Sequence, residues 1–433
     1  MGAAVPDGFL RTEGRVSMGR DEKWCDSHLK KFLSDVQDWY DQNKNGFQTD
    51  FDVAIKGVKP CPPELQGAQK EKVWKDWQQA TIKTLIDFFT EWCQWGWGQG
   101  VHEGLDYIEK FSWINYHNDA GTDFMIKGQG AVMLAEFTKL QGEQMDDERS
   151  EKLVQQWIEE LGPKTMADYR PGDWSTYNKF FIRELKPGVR PIAAPLDPSV
   201  VVAPTDCVIN MVVDELTDET LIPVKTVAMN VHTLLHGSRY AKHFTHDRDG
   251  NPGGGTAVSC ILMPDTYHRY HAPVGGEVVE AHDDIAGAYY GMQNFPDLVN
   301  NGNVGYGYDY KAFSDFRRGY VIFKTPYLDH TGKPDGEGYV GLVPVGLNSI
   351  GSVQFLDKFK NVKHGQAVAV EKGDEIGCFQ YGGSLNILLF EKGRFPALQL
   401  LMGQRIGVLD DPGRSKKYFS RSYRARSSRT STL

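Results

Sequence analysis

A chain of 433 residues, 40% hydrophobic and 24% charged, has the make-up of a soluble globular protein and the length for two domains, or one large domain with an added lobe. Its net charge of −9 gives no reason to expect nucleic acid as a partner. No run reaches the roughly 18 apolar residues that a membrane span requires.

The start, Met1-Gly2-Ala3-Ala4-Val5-Pro6-Asp7, lacks the apolar stretch of a signal peptide, and Pro6 breaks the myristoylation pattern. Six scattered cysteines (Cys25, Cys61, Cys93, Cys207, Cys260 and Cys378) include no CxxC pair. The expectation is an intracellular protein without disulfides, cytoplasmic or peripheral to a membrane.

Residues 1–165 read as a helical, tryptophan-rich region. From Gln66 to Trp95, Trp74, Trp77, Leu85, Phe88 and Trp92 recur at helical spacing. A further helix is predicted over Asp146–Leu161, where Leu153, Trp157 and Leu161 lie four apart and Gly162-Pro163 ends it. Core packing is the expected role of these aromatics; a membrane-surface role for the first segment stays open.

Beyond Pro163 the texture changes to short β-like runs between turns. They are Val200–Val202, Val208–Val213, Ala257–Leu262, Gly319–Phe323 and Tyr339–Val345, with Asp249-Gly250-Asn251-Pro252-Gly253-Gly254-Gly255 among the turns. Residues 296–318 read as a long Gly/Tyr/Asp-rich loop, and their Gly302-Asn303-Val304-Gly305-Tyr306-Gly307 is not a dinucleotide fingerprint. The predicted class is α+β: a helical N-terminal lobe followed by a β-rich domain over 166–410, a curled sheet or sandwich. A tail over 411–433 closes the chain, with seven Lys/Arg from Arg414 onward and no acid among them. That tail is a solvated end or an attachment to anionic lipid.

Two stretches carry chemistry. Gly382-Gly383-Ser384 lies between the apolar runs Ile376–Phe379 and Leu385–Phe390, where backbone freedom suits a hydroxyl that must reach a neighbouring carbonyl. A hairpin turn is the plain alternative. Met263-Pro264-Asp265-Thr266-Tyr267-His268-Arg269-Tyr270-His271-Ala272-Pro273 holds two histidines three apart. Zinc would need more ligands than His243 and His246-Asp247 offer, so no metal is expected.

Both stretches resemble signatures of the phosphatidylserine decarboxylase family. So do Phe180–Pro191 with its Leu185-Lys186-Pro187-Gly188, Ala203-Pro204-Thr205-Asp206, and Gly346–Val353, in the same order; together they span about 175–392. The resemblance implies a self-cleaving enzyme in which the Gly383-Ser384 bond breaks and Ser384 becomes a covalent pyruvoyl group, with no pyridoxal phosphate. His271 is then the base that takes the Ser384 proton and Asp206 orients it. His268 is the acid that reprotonates the substrate, or a positioning group. The two chains, 1–383 and 384–433, stay associated. In a regular strand 268 and 271 would face opposite ways, so the segment must bend.

Cys207, Leu385 and Lys225-Thr226 depart from the family's usual Gly, Thr and Lys-Gly. These departures bear on the substrate. It is expected to be phosphatidylserine, converted to phosphatidylethanolamine and CO2. The alternative is a free aromatic amino acid, as in the fungal tryptophan decarboxylase branch, which shares the helical extension and the His-Ala-Pro. A non-enzymatic scaffold is the third reading.

Overall fold

The computed structural model describes residues 27–95, 103–218, 221–222, 227–228, 231–262, 265–296, 316–329, 331–346, 353–380, 384–395, 398–400 and 402–403. The basic tail, most of the loop at 297–315, the stretch 347–352, Lys225-Thr226 and Gly383 lie outside the described residues.

The first lobe is helical, as its periodicity predicts. It comprises α1 (Ser27–Asp41), α2 (Phe47–Lys56), α3 (Gly67–Val73), α4 (Ile82–Trp95), α5 (Glu103–Ser112), α6 (Asp119–Ile126), α7 (Gly128–Asp146) and α8 (Glu151–Met166). In α1, Leu29, Phe32, Val36 and Trp39 form one buried stripe at three- and four-residue spacing. The Gln66–Trp95 segment is two helices rather than one. Trp77 lies between them, fully buried, with its indole Nε1 donating to the Lys110 carbonyl at 2.7 Å. Residues 74–81 are not helical, and Thr81 and Thr84 bond reciprocally where the helix restarts. α8 begins five residues later than predicted and continues to Met166. Gly162, at φ 72° and ψ 163°, breaks the helical geometry in front of Pro163 as predicted, and a second short helical stretch then runs to Met166.

The strands are β1 (Val208–Leu216), β2 (Leu221–Ile222), β3 (Val227–Ala228), β4 (Gly255–Leu262), β5 (Arg269–His271), β6 (Gly276–Ile285), β7 (Arg318–Leu328), β8 (Pro334–Gly346), β9 (Val353–Phe355), β10 (Val368–Val370), β11 (Glu375–Phe379) and β12 (Ser384–Phe390). Seven of them make one sheet in the order β1-β4-β12-β8-β7-β6-β10, antiparallel throughout. A second sheet has the order β5-β11-β9. Val200–Val202 is extended but unpaired as a strand; Val202 N–H donates to the Pro273 carbonyl at 3.0 Å.

Near the middle of the large sheet, β12 pairs along its whole length with β4 on one side and β8 on the other. Its side chains alternate between two cores. Leu385, Ile387 and Leu389 join a cluster with helical residues such as Phe88, Phe89, Trp92, Phe111 and Phe137. Leu388 and Phe390 join Tyr270, Phe355 and Phe379 of the small sheet. The large sheet is thus covered by helices on one face and by the small sheet on the other. Fully burying each of these aliphatic side chains is worth about 1.5–3 kcal/mol. Tyr290 ties the lobes together, its ring 5.3 Å from Phe111 and 6.2 Å from Trp92.

Candidate active site

Ser384 is the first residue of β12, opposite Leu262 and Gly346, with only 1% of its surface exposed. The alternation of β12 puts its side chain on the face turned toward the small sheet. Among the described residues its hydroxyl has no hydrogen-bond partner, so neither histidine bonds to it here. Three such orphans lie close in sequence, because Asn386 on the same face is also fully buried with both Oδ1 and Nδ2 unpaired.

His268 lies just before β5, beyond a turn at Asp265–Thr266. A turn before His268 leaves the relative facing of 268 and 271 unchanged, and the two rings have separate partners: Thr266 and Phe181 for His268, Gly373 and Tyr267 for His271. His268 Nδ1 meets the Thr266 carbonyl at 2.9 Å. A carbonyl only accepts, so Nδ1 carries the hydrogen and Nε2 keeps a lone pair, which has no partner. The Phe181 ring covers the imidazole at 3.9 Å between centroids. Complete burial, helped by the Arg183 guanidinium, pushes its pKa down to about 3, so the ring is neutral at pH 7. Arg183, itself buried, donates to the Phe180, Asp265 and Thr266 carbonyls at 3.4, 3.0 and 3.3 Å. It thereby fixes the turn that presents His268.

His271, on β5, is held at both ring nitrogens. Nδ1 donates to the Gly373 carbonyl at 2.8 Å, and Nε2 accepts from the Tyr267 hydroxyl at 2.8 Å. Burial lowers its pKa, while the Gly373 carbonyl and the charges of Glu375 and Asp206 oppose that. Burial also raises the Tyr267 phenol, which stays protonated and able to donate. Gly373 sits at φ 90°, and a Cβ there would lie 2.5 Å from the Ile192 side chain, so the carbonyl that sets the tautomer needs a glycine.

Asp206 does not bond His271. It takes a fork from Arg190, with Nε to Oδ1 at 3.0 Å and Nη2 to Oδ2 at 2.9 Å, while Arg190 Nη1 reaches Asp168 at 3.0 Å. Orientation of His271 comes instead from Gly373 and Tyr267. Next to Asp206, Cys207 packs against the cluster that holds Cys260, and Cys260 lies opposite Asn386 across β4 and β12. Among the described residues, no group of three or more His, Cys, Asp or Glu could hold a metal ion.

Sequence reasoning singled out Ser384, His268, His271 and Asp206; the contacts around them add Tyr267, Gly373, Arg183 and Asn386, which it did not single out. Tyr267 and Arg183 stood inside the quoted motifs, and Asn386 was the one polar residue of Leu385–Phe390. Nothing in the sequence marks a main-chain carbonyl such as that of Gly373.

The sequence model of the phosphatidylserine decarboxylase family matches residues 177–409. The chain is 31% identical to the phosphatidylserine decarboxylase proenzyme of Anoxybacillus flavithermus, over 56% of this chain and 80% of that protein. It is 28% identical to the proenzyme of the same name from Fusobacterium nucleatum, over 58% and 72%. Against phosphatidylserine decarboxylase proenzyme 2 of Oryza sativa it is 28% identical, over 60% of this chain and 37% of the longer rice protein. The matched span takes in every site residue above and more than half of the chain, and on that ground the chain belongs to the phosphatidylserine decarboxylase family of carboxy-lyases.

Proposed function

We propose that this chain is a proenzyme that cuts itself between Gly383 and Ser384 and then decarboxylates phosphatidylserine to phosphatidylethanolamine. The observation that carries the reading is Ser384: a fully buried serine with an unpartnered hydroxyl, opening a central strand at the family's cleavage position.

In the cut, the Ser384 Oγ attacks the Gly383 carbonyl and the backbone nitrogen leaves, giving an ester. His271 Nε2 bears the lone pair, so it receives the Ser384 proton in place of the Tyr267 hydrogen bond. Elimination of the ester releases the carboxylate of Gly383. Water then hydrolyses the resulting imine to a ketone and ammonia, leaving chains 1–383 and 384–433. The residues present fit a pyruvoyl group at position 384: the precursor side chain is in place, and unpaired polar atoms of Asn386 share its strand face. That group supplies a ketone for the substrate's amine and draws electrons from the carbon that loses CO2.

His268 is neutral, with a bare Nε2. Its lone pair can accept a hydrogen bond from the substrate's ammonium and hold the amine toward position 384, the positioning role, since a ring that refuses protons cannot draw one from an ammonium. Arg190 holds Asp206 in the wall of the site. The helical region 1–165 precedes the catalytic unit 166–410. The tail from Arg414 draws the enzyme to anionic bilayers, each basic residue near the surface adding about 1 kcal/mol. No helix among the described residues is long and apolar enough to cross a membrane.

The test is the intact mass of the protein beside Ser384→Ala, followed by CO2 release from phosphatidylserine vesicles and from free tryptophan. Two chains divided at 383/384, a small chain lighter than a serine start requires, and CO2 from vesicles alone are expected. A single intact chain, or release from tryptophan alone, overturns the proposal.

A further inference from the structure

We infer that the side-chain amide of Asn386 binds the α-amino-acid end of the substrate, its Nδ2 donating to the substrate's carboxylate. The inference rests on the reading of Ser384 as the reacting position.

Asn386 follows Ser384 by two residues on a regular strand, so the two side chains stand on one face about 6.5–7 Å apart. The strand is locked on both sides, by Cys260 on β4 and Pro344 on β8, and neither of these side chains offers the amide a strong partner. Leu388 and Phe390, the next residues on that face, are apolar and buried. A valine or leucine would complete such a wall. An unpaired buried amide is instead a burden to the fold, because its donor and its acceptor are both stripped of water.

A substrate relieves that burden. The amine and the carboxylate of an α-amino acid share one carbon, so an amine brought to position 384 carries its carboxylate along the same face. Nδ2 can then donate to the carboxylate, while Oδ1 accepts an N–H of the amine. Both orphan atoms of Asn386 are satisfied by the one chemical group that the reaction consumes.

The neutrality of the amide matters. The buried guanidinium of Arg183 is already engaged by three backbone carbonyls, and His268 is uncharged. A carboxylate held by a neutral donor among apolar residues is located without the deep ground-state stabilisation of an ion pair. That arrangement favours its loss as CO2. The product lacks the carboxylate, so its headgroup loses this contact and leaves more readily than the substrate's.

The test uses the full chain and a readout other than turnover. Cleavage of wild type, Asn386→Val and Asn386→Asp is first checked by mass. Each cleaved protein is then treated with borohydride, which removes the ketone and leaves only non-covalent recognition. Binding of short-chain phosphatidylserine and phosphatidylethanolamine is compared by calorimetry. Wild type is expected to prefer the carboxylate-bearing headgroup by about tenfold or more, the worth of a hydrogen bond to a charged group. Asn386→Val should lose that preference and melt at a higher temperature; Asn386→Asp should reverse the preference. Asn386→Val that keeps the preference, or melts lower than wild type, overturns the inference alone. An uncleaved wild-type chain overturns the Ser384 reading and this inference with it.

Discussion

Acid should destabilise this fold through His268, by an amount set by its burial. The unfolded imidazole titrates near 6.5, and the folded one is pushed down to about 3 by burial and by Arg183. Below pH 6.5 the unfolded chain therefore binds a proton that the folded chain refuses. The stability is fully present above that pH and drains away as pH falls. Between pH 7 and pH 5 the loss from this one group comes to about 2 kcal/mol. His271, also lowered by burial, acts in the same direction. The assay is urea unfolding followed by the fluorescence of the ten tryptophans, on the Ser384→Ala chain so that cleavage does not intervene. Its pH 7 to pH 5 loss is set against that of the Ser384→Ala/His268→Gln chain, in which position 268 no longer titrates. The second chain should lose about 2 kcal/mol less between the two pH values. Equal losses would refute the reasoning, because a refused proton at His268 could not then be the cause.

The remaining predictions concern the grip on His271. Tyr267→Phe removes a donor that only the neutral ring can use, so the His271 pKa should rise by about 0.7 unit, the equivalent of roughly 1 kcal/mol. Carbon-13 titration of the 12 histidines in Ser384→Ala, assigned with His271→Gln, reads this directly; a fall or no change contradicts the assignment. Gly373→Ala places a Cβ against Ile192 at an unfavourable φ, with an expected loss of about 1–3 kcal/mol in urea. The same change should slow the appearance of the small chain, since the carbonyl that fixes the His271 tautomer must shift; unaltered stability and cleavage would show that Gly373 has no such role.

Much of the architecture was legible because it depends on local pattern. Val208–Val213, Ala257–Leu262, Gly319–Phe323 and Tyr339–Val345 are β-branched runs between turns, and each lies in a strand of the large sheet. Val200–Val202 has the same composition but is joined to Pro273 by the single backbone bond of Val202, short of the ladder a strand needs. Trp74 and Trp77 fit a helical period, yet the chain is not helical there, and Trp77 is buried with its indole on the Lys110 carbonyl, 33 residues away. The site divides the same way. Ser384, His268 and His271 stand inside contiguous motifs. The partner of Asp206 is decided by where the fold brings Arg190, and the tautomer of His271 by the carbonyl of Gly373, 102 residues further along. Spacing in the sequence carries neither fact.

The position of β12 has a bearing on the life of the molecule after processing. Every residue of that strand is laddered on both sides, from the rung at Ser384 to the rung at Phe390. A cut before Ser384 would sever the chain at the end of this strand while leaving both ladders intact. Folding would then be a one-way event. The intact chain can fold as a single molecule, but its cleaved descendant, once unfolded, would have to recover a central strand from a separate peptide. Refolding would become second order in concentration, and the sheet would be exposed along two edges while it waited. The mature protein would owe its lifetime to the height of the unfolding barrier rather than to any equilibrium it could re-enter.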